Sequence, residues 1–299
     1  MDVIRPTGPF DFGTMLKRPL SRPSKVAVID PETSSYTKAL RINRRVIPVT
    51  VRGGGTVDQP LLLLDYPGDG MIEEGSEIRN RIQQMFSTHV QVTEFYATVS
   101  SDPAWMPLLN ALFGLRPMRD ADLFESMVRI IIGQQLNVQF AAALVERLID
   151  MGESFVAWGD GLLPVFPSPE QIARLTYAQL RERSFSQRKA EYVIDFARIV
   201  ADGKIDLETL RGMPDEQVHE QLISFRGIGR WTVECFLLFG LGRQDIMPAT
   251  DIGVQNALQK LYGMEYRPKD EEVRNMAEAW KPFRSLATYY LWQSLIGLL

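Results

Sequence analysis

Phe225-Arg226-Gly227-Ile228-Gly229-Arg230-Trp231-Thr232, followed about one helix and one turn later by Pro248-Ala249-Thr250-Asp251-Ile252-Gly253, is the most informative part of this chain. The closely spaced glycines let the backbone turn tightly and point bare N–H groups outward, and the helical run behind them adds a positive helix end. That combination is a cradle for an anion such as a phosphate, with a carboxylate supplied downstream. Gly-x-Gly ahead of a helix is a weak pattern by itself, because any turn between helices uses glycine. The complete block with its downstream Asp is far more specific.

The rest of the chain sets bounds on what this unit belongs to. A length of 299 residues fits one large or two smaller domains. No apolar run approaches the ~20 residues a membrane helix needs, and the start lacks the pattern of a signal peptide, so a soluble, cytoplasmic protein with no membrane partner is expected. The lone cysteine, Cys235, excludes an internal disulfide framework and a four-cysteine metal or iron–sulfur site. It lies in the apolar run Cys235-Phe236-Leu237-Leu238-Phe239, which reads as a buried, inert thiol. His89 and His219 are too far apart in sequence to suggest a histidine-rich site. A net charge of −4 argues against gripping nucleic acid by bulk charge, yet leaves room for a local basic face. Arg226, Arg230 and Arg243 gather near the glycine turn, with Arg181, Arg183, Arg188 and Lys189 before it; most of these read as solvated helix faces.

The period of the apolar residues changes near residue 100, dividing the chain into 1–100 and 101–299. In the first part, Leu40 and Ile42 alternate with polar neighbours, as do Val49 and Val51, and Leu61 to Leu64 form a short apolar run. These are expected strands, with Gly53-Gly54-Gly55 as a hairpin turn, followed by a helix with Ile78, Ile82, Met85 and Phe86 on one face. The first part is thus α+β. From Ser101 the period is helical. Phe124, Met127, Val128, Ile130, Ile131 and Ile132 make a helix apolar nearly all round. Further helices carry Val193, Phe196, Ala197 and Val200, then Val233, Phe236, Leu237 and Gly240, then Val254, Ala257, Leu258 and Leu261, and a last one runs from about Ser285 to Leu298. Asp251, just ahead of such a helix, fits a simple N-cap by its local pattern, and Asp245 fits capping or loop structure.

These residues carry a family resemblance. Phe124-Glu125 with Val128-Arg129 and Gly133-Gln134, Phe166-Pro167-Ser168-Pro169, Phe225 to Thr232, and Trp280-Lys281-Pro282-Phe283-Arg284-Ser285 with Trp292 resemble blocks of the helix-hairpin-helix DNA glycosylases, in the 3-methyladenine DNA glycosylase II (AlkA-type) branch. Pro9-Phe10-Asp11-Phe12 with Met15-Leu16 resembles that family's N-terminus. The resemblance implies an N-terminal sheet similar to half of a TATA-binding protein, then an all-helical body of two subdomains with the active-site cleft between them. It implies a monomer acting on double-stranded DNA with damaged bases.

By the same resemblance, Asp251 faces the flipped nucleotide and stabilises the positive sugar of an N-glycosidic cleavage. Trp231 and Trp292 wall a pocket suited to cationic bases; Tyr289, Tyr290, Trp280 and Phe283 read as core. Bifunctional relatives carry a nucleophilic lysine where this chain has Trp231, which implies a monofunctional enzyme that leaves an abasic site. The family pocket has a tyrosine where this chain has Cys235. Gly227, Gly229, Arg230 and Thr232 would hold backbone phosphate. The wedge that fills the vacated stack falls in Gln134-Gln135-Leu136-Asn137, with either Gln135 or Leu136 at its tip. No cofactor is required, although a structural Na+ or K+ on the carbonyls of Ile223, Phe225 and Ile228 fits the family. Two further readings stay open here: a glycosylase for an oxidised or deaminated base, and a non-catalytic DNA-binding module.

Overall fold

The computed structural model describes residues 2–43, 45–68 and 72–295. Five strands, β1 (Asp2–Ile4), β2 (Ala27–Asp30), β3 (Ser35–Ile42), β4 (Arg45–Gly55) and β5 (Pro60–Asp65), form one sheet in the order β1-β5-β4-β3-β2. Every neighbouring pair is antiparallel. The expected glycine hairpin turn is displaced: Gly53, Gly54 and Gly55 continue β4 and pair with Leu62, Leu61 and Pro60, and the turn follows them. The physical reason is packing. A Cβ on Gly53 would lie 2.7 Å from the Phe12 ring, so glycine here lets helix α1 (Phe12–Ser21) press onto the sheet.

The sheet is followed by α2 (Ile72–Met85), α3 (Thr93–Val99) and α4 (Met106–Ala111). Next come α5 (Leu123–Gly133), α6 (Val138–Gly152), a small antiparallel hairpin of β6 (Phe155–Trp158) and β7 (Gly161–Pro164), then α7 (Pro169–Ala173), α8 (Tyr177–Glu182) and α9 (Gln187–Ala201). The β6–β7 hairpin is the departure from an all-helical body, and it leans on the large sheet through Leu163 and Val165 beside Ala39. The chain continues through α10 (Asp215–Ile223), α11 (Arg230–Phe236), a wider π turn (Leu237–Leu241), α12 (Ile252–Tyr262), α13 (Asp270–Ala277) and α14 (Arg284–Ser294). The last helix was expected to reach Leu298; residues 296–298 lie outside the described part of the chain.

The buried apolar residues gather into two main cores. One core joins the inner face of the sheet and α2 to α4 with residues from Met247 to Leu291, including Trp280, Phe283, Tyr289 and Tyr290. A second core is built around α5, α6, α9 and α11. Phe239 and Trp292 pack against both cores, which puts them at the seam.

Charge also ties the two parts together. The buried Lys38 of β3 reaches across to Glu125 of α5, with Nζ 2.7 Å from Oε1, and Arg129 donates to the same oxygen at 2.8 Å. Burial pushes the Glu125 carboxyl upward, but the Lys38 and Arg129 charges outweigh it and hold the group below its usual range. Lys38→Met would leave Glu125 buried with one cation instead of two. We expect a loss of about 3 kcal/mol in urea unfolding, the lower end of the range for a broken buried pair; a loss below 1 kcal/mol would show that the pair is dispensable.

Candidate active site

Asp251 stands where α12 begins. Its backbone is extended, and its Oδ1 accepts the Val254 N–H at 2.9 Å, so the expected N-cap exists. Two further donors converge on the same carboxylate. Trp231 Nε1 donates to Oδ2 at 2.8 Å and Trp292 Nε1 donates to Oδ1 at 2.9 Å. The residue is half-buried, and Ile252 beside it is 58% exposed, so the start of α12 reaches the surface. One side chain therefore caps α12 and anchors both indoles.

The aromatic surroundings are ordered by this arrangement. Trp292 stacks on Phe239 with ring centres 5.2 Å apart and planes within 14°. Arg18 of α1 lies over the Phe239 and Tyr289 rings at 5.6 and 5.4 Å. Arg22 is nearby, its guanidinium held below the usual range by burial and then by the Arg18 charge. Phe239 reaches this stack from the π turn, which ends at Gly242 with φ 72°. Cys235 is buried as expected, and burial, then the Asp251 and Glu234 charges, pushes its thiol well up.

The glycine turn sits on α9. Gly227 adopts φ 88°, and a Cβ there would fall onto the Tyr192 ring. Gly229 precedes α11 in extended conformation, with nothing within 4 Å of its missing Cβ. Arg226 packs over Tyr192 and pairs with Glu191 at 2.6 Å; Arg230 pairs with Glu234 at 3.1 Å, and Arg274 reaches the same oxygen at 3.3 Å. Thr232 is buried, and its Oγ1 takes the Gln134 side-chain amide at 2.8 Å rather than facing outward. That same amide donates to the Gly227 carbonyl at 2.8 Å. Gln134 is thus a brace between two loops. Gln135 is exposed with φ 56°, whereas Leu136 packs against the second core. Ile223 lies at the end of α10, and the Phe225 carbonyl already accepts the Ile228 N–H at 3.1 Å.

Several contributors escape a reading of the sequence. Gly253 is one: a Cβ there would lie 2.9 Å from Asp251 Oδ1 and 3.1 Å from Trp292 Nε1. Asp245 belongs to a loop, one of its two expected placements, and its contact was not foreseen: it binds Arg284 through Nε–Oδ1 at 2.7 Å and so fixes the start of α14, which carries Trp292. Lys189 is not on a solvated face. It is 8% exposed and donates to the carbonyls of Ile131 and Gln134. Arg243 likewise turns inward, to the Met213 carbonyl at 2.6 Å.

The glycine turn, the braced loop and the carboxylate held by two indoles all lie within or beside the part of the chain that matches a known family. Residues 128–282 match the family described as HhH-GPD superfamily base excision DNA repair protein, and the chain belongs to that family. It is 34% identical to YfjP of Bacillus subtilis over 98% of this chain and 99% of that one. It is 30% identical to the DNA-3-methyladenine glycosylase of Bacillus subtilis over 98% of this chain and 97% of the relative. In fold it resembles the 3-methyladenine DNA-glycosylase from Archaeoglobus fulgidus, with a TM-score of 0.87 at 24% identity over 100% of both chains.

Two expectations follow from this geometry. Gly253→Ala adds a methyl group where Asp251 and Trp292 meet, in a helix that otherwise gains from alanine. Single-turnover base release should fall about tenfold or more through displacement of the carboxylate, with no drop in melting temperature; an unchanged rate would mean the site yields freely. The second concerns Lys189, whose amine is lowered by burial from 10.5 to about 8. Between these values the unfolded chain holds more protons, so the burial cost present below pH 8 is relieved as pH rises toward 10.5. Lys189→Met should flatten that limb of the stability–pH curve, by at most about 3 kcal/mol.

Proposed function

We propose that this protein is a monofunctional DNA glycosylase that hydrolyses the N-glycosidic bond of flipped-out alkylated bases such as 3-methyladenine and 7-methylguanine. The observation that carries this reading is the Asp251 carboxylate, half-buried at the start of α12 and fixed by the Trp231 and Trp292 indole N–H groups. The names of its full-length relatives support the substrate class.

The chemistry follows from charge. As the bond from C1′ to the base nitrogen breaks, its electron pair leaves with the base and the sugar becomes positive. Asp251 faces that charge with an anion whose orientation three N–H donors have set in advance, which is electrostatic preorganisation. Water then bonds to C1′, and its proton passes to Asp251 or to solvent. An alkylated purine leaves as a neutral molecule, so no general acid is required. Its positive ring gains about 0.5 to 2 kcal/mol over an indole face, a gain neutral bases lack. Trp231 offers no amine for a Schiff base, and the reaction stops at the abasic site.

The remaining parts fit the same task. The N–H groups around Gly227, Gly229 and Arg230 would position a phosphate, with Thr232 serving from within as the anchor for Gln134. Gln135 is the proposed wedge, supported by its exposure and by the packing of the partly buried Leu136 against the second core. A Na+ or K+ on the carbonyls of Ile223, Phe225 and Ile228 would add positive charge beside that phosphate. We further propose that the sheet is of the TATA-binding-protein half type, that 1–100 and 101–299 act as two units, and that the enzyme works as a cytoplasmic monomer on chromosomal DNA.

Asp251→Asn keeps a good helix cap while removing the charge. Release of 7-methylguanine should fall by about 100-fold or more with duplex binding retained, and borohydride should trap no enzyme–DNA adduct. Wild-type release by this variant would falsify the assignment, and a trapped adduct would overturn the monofunctional reading.

A further inference from the structure

Lys189 is a buried amine with no place in the chemistry above. It sits in the first turn of α9, and no carboxylate pairs with it among the described residues. Its Nζ donates instead to the carbonyls of Ile131, at 3.1 Å, and Gln134, at 2.8 Å. Those carbonyls close the C-terminal end of α5, where a helix leaves acceptors unpaired and a cation is favoured by the helix dipole. The chain then enters the left-handed Gln135. From the other side of the Gln134 peptide, the side-chain amide reaches the Gly227 carbonyl and Thr232 Oγ1. The same helix supports the glycine turn directly, through Tyr192 under Gly227 and Glu191 on Arg226. One helix therefore touches both loops that face the duplex.

We infer that Lys189 is a positioning residue that couples the loop bearing Gln135 to the phosphate-holding turn at 225–232, so that both reach DNA as one rigid surface. Without the amine, the part-buried Gln134 carbonyl loses its donor and the Ile131 carbonyl keeps only the Gln134 N–H at 3.4 Å, and the loop must turn to satisfy them. The Gln134 amide then leaves Gly227 and Thr232, and the turn loses its brace. The energetic penalty falls on base flipping, because the wedge is no longer set at a fixed distance from the gripped phosphate. A lysine that served only to close α5 would affect stability alone.

This inference deepens the glycosylase reading and rests on Gln135 as its wedge, so it is tested in two independent arms. In the free protein, hydrogen–deuterium exchange of the peptide spanning 225–232 should quicken about fivefold or more in Lys189→Met, as expected when a local brace is lost. Exchange in the β6–β7 hairpin should stay as in the wild type. Gln134→Met removes the bridge while leaving the amine, and should give the same local quickening even if Lys189→Met folds poorly. In the second arm, single-turnover release of 7-methylguanine is compared between a paired duplex and a bulge with no opposing base. Lys189→Met should lose about tenfold on the paired substrate, the scale of a misplaced positioning group, and under about threefold in the bulge, where the cost of flipping is small. Equal losses on both substrates, or unchanged exchange at 225–232 in both variants, would overturn the coupling. If the wild type releases no base at all, the glycosylase reading falls while the exchange arm still decides the coupling.

Discussion

The structure turns on three N–H groups meeting one carboxylate. Trp231 arrives from the helix behind the glycine turn, Trp292 from the last helix, and Val254 from the helix that Asp251 caps. A carboxylate half removed from water is costly unless it is hydrogen-bonded, and charged hydrogen bonds are the strong ones. The convergence meets that cost and at the same time sets the relative position of three helices. It also ties the two indoles to the charge they surround: each serves the carboxylate with the N–H at its edge, and Trp292 lays its face on Phe239.

That meeting point exists only where the two cores abut. One core is assembled from both ends of the chain and the other from its middle, with Phe239 and Trp292 packed against both. Slippage between them would pull the indoles off Asp251. The buried Lys38–Glu125 pair, with Arg129 at its edge, acts against that slippage, because charged groups removed from water have few acceptable arrangements, and the partly exposed Arg284–Asp245 pair adds a second tie. The N-terminal sheet thus bears on the site through its placement of α5 and α1, although no strand supplies the carboxylate or either indole.

The parts of this plan that were legible in the sequence are those whose pattern is local. The alternation in β3 and β4, the apolar periods of α5, α9 and α12, and the unit from Gly227 to Asp251 each lie within a short window. Gly53 to Gly55 misled because a glycine run reads as a turn, while the need for glycine came from Phe12, far away in sequence. Gly253 was silent for a related reason: a side chain there would crowd Trp292, far away in sequence, together with the Asp251 carboxylate that Trp292 holds. Lys189 could not be told from Arg181, Arg183 and Arg188, since composition does not reveal which cation turns inward. The β6–β7 hairpin did leave a signal, in Trp158-Gly159-Asp160-Gly161 between apolar residues, and the prevailing helical period masked it.

The π turn at Leu237–Leu241 separates two duties within one helical run. Ahead of it, α11 keeps the register that aims Trp231 at Asp251 and docks the glycine turn on α9. Beyond its start, Phe239 is aimed at Trp292 by a backbone wider than an α-helix. The helix thereby carries a built-in phase shift. Trp231, which holds the Asp251 carboxylate, lies before the shift, and Phe239, which backs Trp292, lies within it, so the two indoles that meet on one carboxylate are supported from different helical registers of a single run.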